Sequence, residues 1–169
     1  MPALAVTAFA FTASAALPEV SKSKVEFHAE GPGGLAIDGT GESITVEKAG
    51  DGKVAFKTSL KNLETGMGLR NKHLKKYMGV EEWPYASMTV EESKLKDAGT
   101  GKSINGKFKL HGVEKQTTVS YTAKKTGDTY AVVAHFDVNL DNHKIEQPCY
   151  LGVCVNKTVK VTVRFDIKN

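Results

Sequence analysis

A chain of 169 residues with 40% hydrophobic and 25% charged residues has the make-up of one soluble globular domain rather than a disordered chain. Its net charge of +4 is dispersed, with lysines set beside acids as in Lys94-Leu95-Lys96-Asp97, so no basic face for a nucleic acid is expected.

The first 21 residues contain no Lys or Arg, and residues 3–17 are almost wholly small or apolar, ending in Ala13-Ser14-Ala15-Ala16. That is the apolar region and A-x-A cleavage site of a signal peptide, without the usual positive start. Residues 1–16 are therefore expected to be an export signal, and residues 17–169 the mature domain. No later apolar stretch is long enough for a membrane-spanning helix, so no stable membrane insertion is expected.

From there the dominant pattern is period-two alternation, the mark of strands with one buried face. Val25, Phe27 and Ala29 alternate with Lys24, Glu26 and His28. A weaker strand runs from Leu35 to Val46. Val54, Phe56, Thr58 and Leu60 then alternate with Ala55, Lys57 and Ser59. Leu63 to Pro84 breaks the rhythm: Leu69, His73, Leu74, Tyr77 and Met78 recur near one helical turn. One short helix is expected at residues 67–77, with Thr65 as N-cap and Pro84 barring continuation.

Strands resume at Ala86 to Glu92. Ile104, Gly106, Phe108 and Leu110 share one face of the next, and Thr117, Val119 and Tyr121 one face of the strand after it. The alternation is clearest in Tyr130 to Leu140, with Val132, Ala134, Phe136 and Val138 on one side, and in Thr158 to Lys168, with Val159, Val161, Val163, Phe165 and Ile167. Glycine-rich turns separate the runs, as hairpins require. The expected fold is all-β: an antiparallel barrel of about eight strands, which removes exposed edges, with the helix between the third and fourth strands.

Cys149 and Cys154 are the two cysteines. Along a straight strand five steps span roughly 16 Å, whereas a disulfide needs Cα atoms within about 7 Å. A bridge requires the chain to fold back at Tyr150 to Val153, which Gly152 permits; two free thiols are the other arrangement the spacing allows.

No pattern announces catalysis or a resident cofactor. The five histidines, at 28, 73, 111, 135 and 143, have neither helical nor finger spacing for a metal. There is no G-x-S-x-G elbow and no P-loop. The inward set is instead apolar and uncharged: Phe27, Phe56, Leu60, Phe108, Leu110, Val119, Tyr121, Phe136, Val161, Val163 and Phe165. A barrel of this size is either filled by such side chains or holds one ligand among them.

Several segments in order resemble one family. They are Val25-Glu26-Phe27-His28, Leu63-Glu64-Thr65-Gly66 followed by Arg70-Asn71-Lys72-His73-Leu74, Trp83-Pro84, Gly106 to Lys115, and Tyr150-Leu151-Gly152-Val153. Together they resemble the YceI-like periplasmic proteins, lipocalin-like barrels associated with polyisoprenoid binding. The resemblance covers residues 22–169. Three features depart from it: Asn71 stands where the family usually has Asp, the cysteines lie outside its general pattern, and an arginine common before the last loop is missing around Asn139 to His143.

The resemblance implies a hydrophobic tunnel, no catalytic residues, and a periplasmic carrier of a polyisoprenoid, quinone or fatty-acyl ligand, as monomer or homodimer. Arg70, His73 and Trp83 match its distinctive polar and aromatic positions. They serve either as a head-group anchor or as a structural junction, with Arg70 capping carbonyls and His73 packed under the helix. The competing function is an exported redox or haem-binding stress protein that uses the cysteines or histidines.

Overall fold

In the computed structural model, which describes residues 16–96 and 99–168, the alternating segments pair into one strongly curled antiparallel sheet. All but the last residue of the expected export signal lies outside the described residues. The strands are β1 Glu19–Glu30, β2 Ala36–Glu42, β3 Ile44–Lys48, β4 Lys53–Ser59, β5 Tyr85–Glu91, β6 Gly99–Leu110, β7 Val113–Thr126 and β8 Thr129–Asn139. A two-stranded hairpin follows, β9 Cys149–Tyr150 and β10 Val153–Cys154, and then β11 Thr158–Lys168. The order across the sheet is β2-β1-β11-β8-β7-β6-β5-β4-β3.

Register keeps the two faces chemically apart. Phe27 stands opposite Val161, and Val25 opposite Val163; Val161 in turn stands opposite Phe136. On the outer face Arg164 Nε donates to Glu26 Oε2 at 3.0 Å and Lys160 Nζ to Glu30 Oε1 at 3.0 Å. Exposed pairs of this kind contribute little stability singly. A one-residue slip, however, would break them and turn the apolar set outward.

The sheet has nine strands where alternation predicts eight. Leu35 to Val46, expected as one strand, divides at Ser43, whose φ of 63° breaks the ladder. The halves pair with different neighbours, β2 with β1 and β3 with β4. One bent stretch thus runs from one edge of the sheet to the other. Side contacts reinforce this seam: the Ile44 N–H donates to Ser23 Oγ at 2.8 Å, and Thr40 and Glu64 exchange backbone bonds at 2.8 Å each. No ladder joins β2 to β3 or to β4 among the described residues, so the closed eight-strand barrel is corrected to a nine-strand curl.

The helix, α1 Gly68–Tyr77, follows β4, and is therefore after the fourth strand rather than the third. Its N-cap is Met67, with no side-chain cap bond. Thr65 does not cap it, because the Thr65 hydroxyl is committed to Asn71 Oδ1 at 2.6 Å. The same end of the curl carries the β1–β2 turn, the β6–β7 turn and the β9–β10 hairpin, since every strand beside them begins or ends there. Leu60, Leu63, Val80, Phe108, Leu140 and Ile145 form the main core cluster at that end.

Gly39 shows how tightly the seam packs. A Cβ there would lie 2.0 Å from Phe27 Cζ, so the missing side chain lets the ring lie across β2. Gly39→Ala is expected to cost about 1–3 kcal/mol, read as a lower melting temperature, whereas a variant melting like the parent would show that Phe27 does not rest on Gly39.

Candidate functional site

The inner faces of the strands do not meet. Among the described residues Val54 alone of the large side chains is fully buried, although the inner face is almost entirely apolar. What separates the walls is a cavity of about 810 Å³, near the upper end of the ~300–1,000 Å³ typical of small-molecule sites.

All eleven residues expected to face inward line this cavity: Phe27, Phe56, Leu60, Phe108, Leu110, Val119, Tyr121, Phe136, Val161, Val163 and Phe165. They sit there because each occupies the inward phase of its strand, Leu60 just beyond β4 in a 3-10 turn. Two aromatic contacts stiffen the wall, Phe56–Phe165 with centroids 5.3 Å apart and Phe108–Phe136 at 5.1 Å. Sequence reasoning missed Met88 and Ile44, on weakly alternating strands, and the rim residues Met67, Leu69, Tyr150 and Leu151, all of which also line the cavity. The rim residues lie in a helix start and a hairpin tip, where alternation carries no signal.

Polar groups stand at the α1 end. Arg70 and His73 line the cavity, but differently. Arg70 Nε donates to Thr65 Oγ1 at 3.2 Å, and its terminal nitrogen to the Thr65 carbonyl at 3.3 Å. His73 is exposed rather than packed under the helix. Asn71 is buried and works in both directions: its carbonyl accepts from the Thr65 N–H at 2.7 Å and from the Thr65 hydroxyl, while its amide donates to Glu64. Aspartate could not make that last bond, which accounts for an amide at this position beside Glu64.

Trp83 lies off the cavity. Its ring meets His111 edge-on at 4.2 Å, and a Cβ at Gly112 would come within 2.6 Å of its Nε1. His111 Nδ1 donates to the His143 carbonyl at 3.1 Å. The buried His143 donates through Nδ1 to the Val113 carbonyl at 3.1 Å and packs its ring on Phe108 at 5.4 Å. Together they close the β6–β7 side of this end.

Cys149 and Cys154 form a disulfide; the chain folds back at Leu151 and Gly152, whose φ angles are 48° and 80°. The histidines do not converge. His28 hydrogen-bonds Asp38 at 2.6 Å and Glu30 at 3.0 Å on the outer face, and His135 bonds Thr162 at 3.0 Å. Among the described residues no three of His, Cys, Asp and Glu gather as metal ligands.

The two titration shifts of note oppose each other. Burial holds the His143 imidazole below the ordinary histidine range, against its bonds to Val113 and Leu110, with Lys115 and His111 adding to the depression. Asp38 first, and Glu30 second, raise His28. The stability tied to His143 is present above the unfolded value of about 6.5 and is lost as pH falls through the depressed one. That tied to His28 is present below about 6.5 and fades as pH rises through the raised value, weakly because solvent screens it.

The sequence matches the YceI-like domain over residues 18–167. No curated protein matches it. Among solved structures it is similar to a polyisoprenoid binding domain from Saccharophagus degradans, with a TM-score of 0.70 and 13% identity over 89% of this chain and 96% of that one. It is similar also to BcnA of Burkholderia cenocepacia, with a TM-score of 0.69 and 15% identity over 86% and 96%. The YCEI protein of Campylobacter jejuni follows at 0.59 and 10% over 79% and 85%. At these identities the likeness is one of fold.

Two outcomes follow. In a His28→Gln background the melting temperature should fall between pH 7.5 and 5.5, and adding His143→Gln should flatten that fall; parallel curves would refute the assignment. Asn71→Asp should set a carboxylate against Glu64 and cost about 1–3 kcal/mol in denaturant titration, an effect that Glu64→Gln should relieve.

Proposed function

The chain belongs to the YceI-like family, and from that premise we propose that it is an exported, periplasmic carrier of a long apolar molecule: a polyisoprenoid, an isoprenoid quinone or a fatty-acyl amphiphile. The observation that carries this reading is the hollow interior. Side chains that would fill a solid barrel instead surround about 810 Å³ of space, with no acid among the lining residues. Away from the few polar groups such as Arg70 and His73 the wall is apolar, and burying an unpartnered polar group there is costly. It rewards aliphatic carbon by about 0.8 kcal/mol per methylene withdrawn from water. Ten methylenes would therefore supply roughly 8 kcal/mol before the cost of ordering the chain.

The polar ends set an orientation. A tail lies along Phe136, Val161 and Val163, and its head group emerges beside Arg70 and His73. The polyisoprenoid-binding neighbour of like fold supports the same ligand class. In this reading the protein has no catalytic residue and works by taking up and releasing its ligand.

Organic extraction of the purified protein followed by mass spectrometry tests the proposal and names the ligand. Stoichiometric lipid is expected. Phe136→Asp, which places a carboxylate against Phe108, should cut lipid occupancy at least tenfold while far-UV circular dichroism stays that of a β-protein. Empty extracts from the parent chain, or full occupancy in the variant, would defeat the reading.

A further inference from the structure

The large apolar side chains left in water are not scattered. Leu17, Met67, Leu69, Tyr85, Tyr150, Leu151 and Val153 are the exposed ones among the described residues, and five of them line the cavity. Met67 and Leu69, 57% and 65% exposed, lie at the start of α1; Tyr150 and Leu151, 72% and 85% exposed, form the tip of the β9–β10 hairpin. Both groups belong to the same end of the curl, so the cavity reaches the surface between two apolar prongs.

Leu151 is the most telling. It sits at a φ of 48°, followed by Gly152 at 80°, in a two-residue turn of the kind that favours Asn-Gly. A branched apolar side chain at positive φ is disfavoured, and here it also faces water, so two local preferences are overridden at one residue. The hairpin is nevertheless held firmly. The disulfide ties its base, Gln147 Nε2 donates to the Val155 carbonyl at 2.6 Å, and the Asn156 N–H donates to Glu30.

The charge on α1 itself has one sign, although Glu64 bonds Asn71 beside it. α1 carries Arg70, Lys72, Lys75 and Lys76 and no acid. Lys72 and Lys76 are exposed, and none of the four enters an ion pair among the described residues. Apolar tips flanked by unpaired cations are the two signals that together give reversible attachment to an anionic bilayer. No described helix is long and apolar enough to cross a membrane, so such attachment is peripheral.

We propose that this end of the molecule is a membrane-docking surface: Met67, Leu69, Tyr150 and Leu151 dip into the interface of a bilayer bearing anionic lipids, while Lys72 and Lys76 engage its head groups. Docking there places the cavity mouth against the acyl layer, and a ligand passes between bilayer and cavity without crossing water. As a route for the ligand this rests on the carrier reading; as a surface it does not.

Flotation of the purified full chain with vesicles of phosphatidylcholine alone, or of phosphatidylcholine with 30 mol% phosphatidylglycerol, tests it. The parent should float with the anionic vesicles and at least fivefold less with the neutral ones. Leu69→Ser/Leu151→Ser should reduce flotation at least fivefold. Lys72→Glu/Lys76→Glu, whose side chains line no cavity, should reduce it about tenfold without lowering lipid occupancy. Absence of flotation by the parent overturns the proposal, as does binding indifferent to the leucine pair. Sedimentation showing a dimer that Leu69→Ser/Leu151→Ser dissolves overturns it in favour of a second copy. A chain that yields lipid on extraction but does not float upholds the carrier reading alone, and one that floats with an empty extract upholds the docking surface alone.

Discussion

Shifting β11 by one residue against β1 would replace Val161 with Lys160 opposite Phe27 and carry a line of charge into the lumen. The fold rests on that parity. Val25–Val163 and Phe27–Val161 on one face, with Glu26–Arg164 and Glu30–Lys160 on the other, hold a single pairing in place. The ionic contacts add little energy, yet a one-residue slip would carry their charges into the lumen, where desolvation is costly. The hollow depends on the same parity, because a mainly apolar inner wall can face inward without partners across the gap.

That parity was legible wherever alternation was strong. β8 and β11 follow Tyr130 to Leu140 and Thr158 to Lys168 closely, and Phe56, Phe108 and Phe136 lie on the wall that their phase assigned them. The break at Ser43 was not legible, since a serine at positive φ leaves no trace in a hydrophobic pattern. Thr65 was misplaced for a related reason. Its type suits a cap, but its hydroxyl is drawn to Asn71, a partner that only the folded loop supplies. Whether the walls touch or stand apart depends on the curvature of the sheet, which no single strand encodes. Trp83 and His111 are two separate aromatic positions in sequence, and their edge-on contact requires the β6–β7 turn to meet the loop after α1.

The α1 end concentrates short-range polar and covalent ties. A neutral bridge through Asn71 links Glu64 and Thr65, and Arg70 donates to Thr65 beside it. Across the opening, a disulfide confines a hairpin whose loop holds six residues. Closing a ring that small contributes about 2 kcal/mol on chain-entropy grounds, too little to govern the whole domain but enough to keep a short hairpin formed. Order is thus supplied locally at the rim, on both sides of the opening, while the opposite sides of the wall gain theirs from long ladders.

The bend at Ser43 has a mechanical side. Elsewhere the circumference is a continuous run of backbone ladders, stiff because widening any one of them would break many bonds at once. At the seam the hoop is joined by a single covalent stretch, with the Thr40–Glu64 bridge and the Ser23–Ile44 bond beside it. Girth can therefore change there at the loss of few bonds. Phe27, resting on Gly39 next to that joint, is the side chain such dilation would move first. A hoop with one such joint can widen there without losing its weave elsewhere.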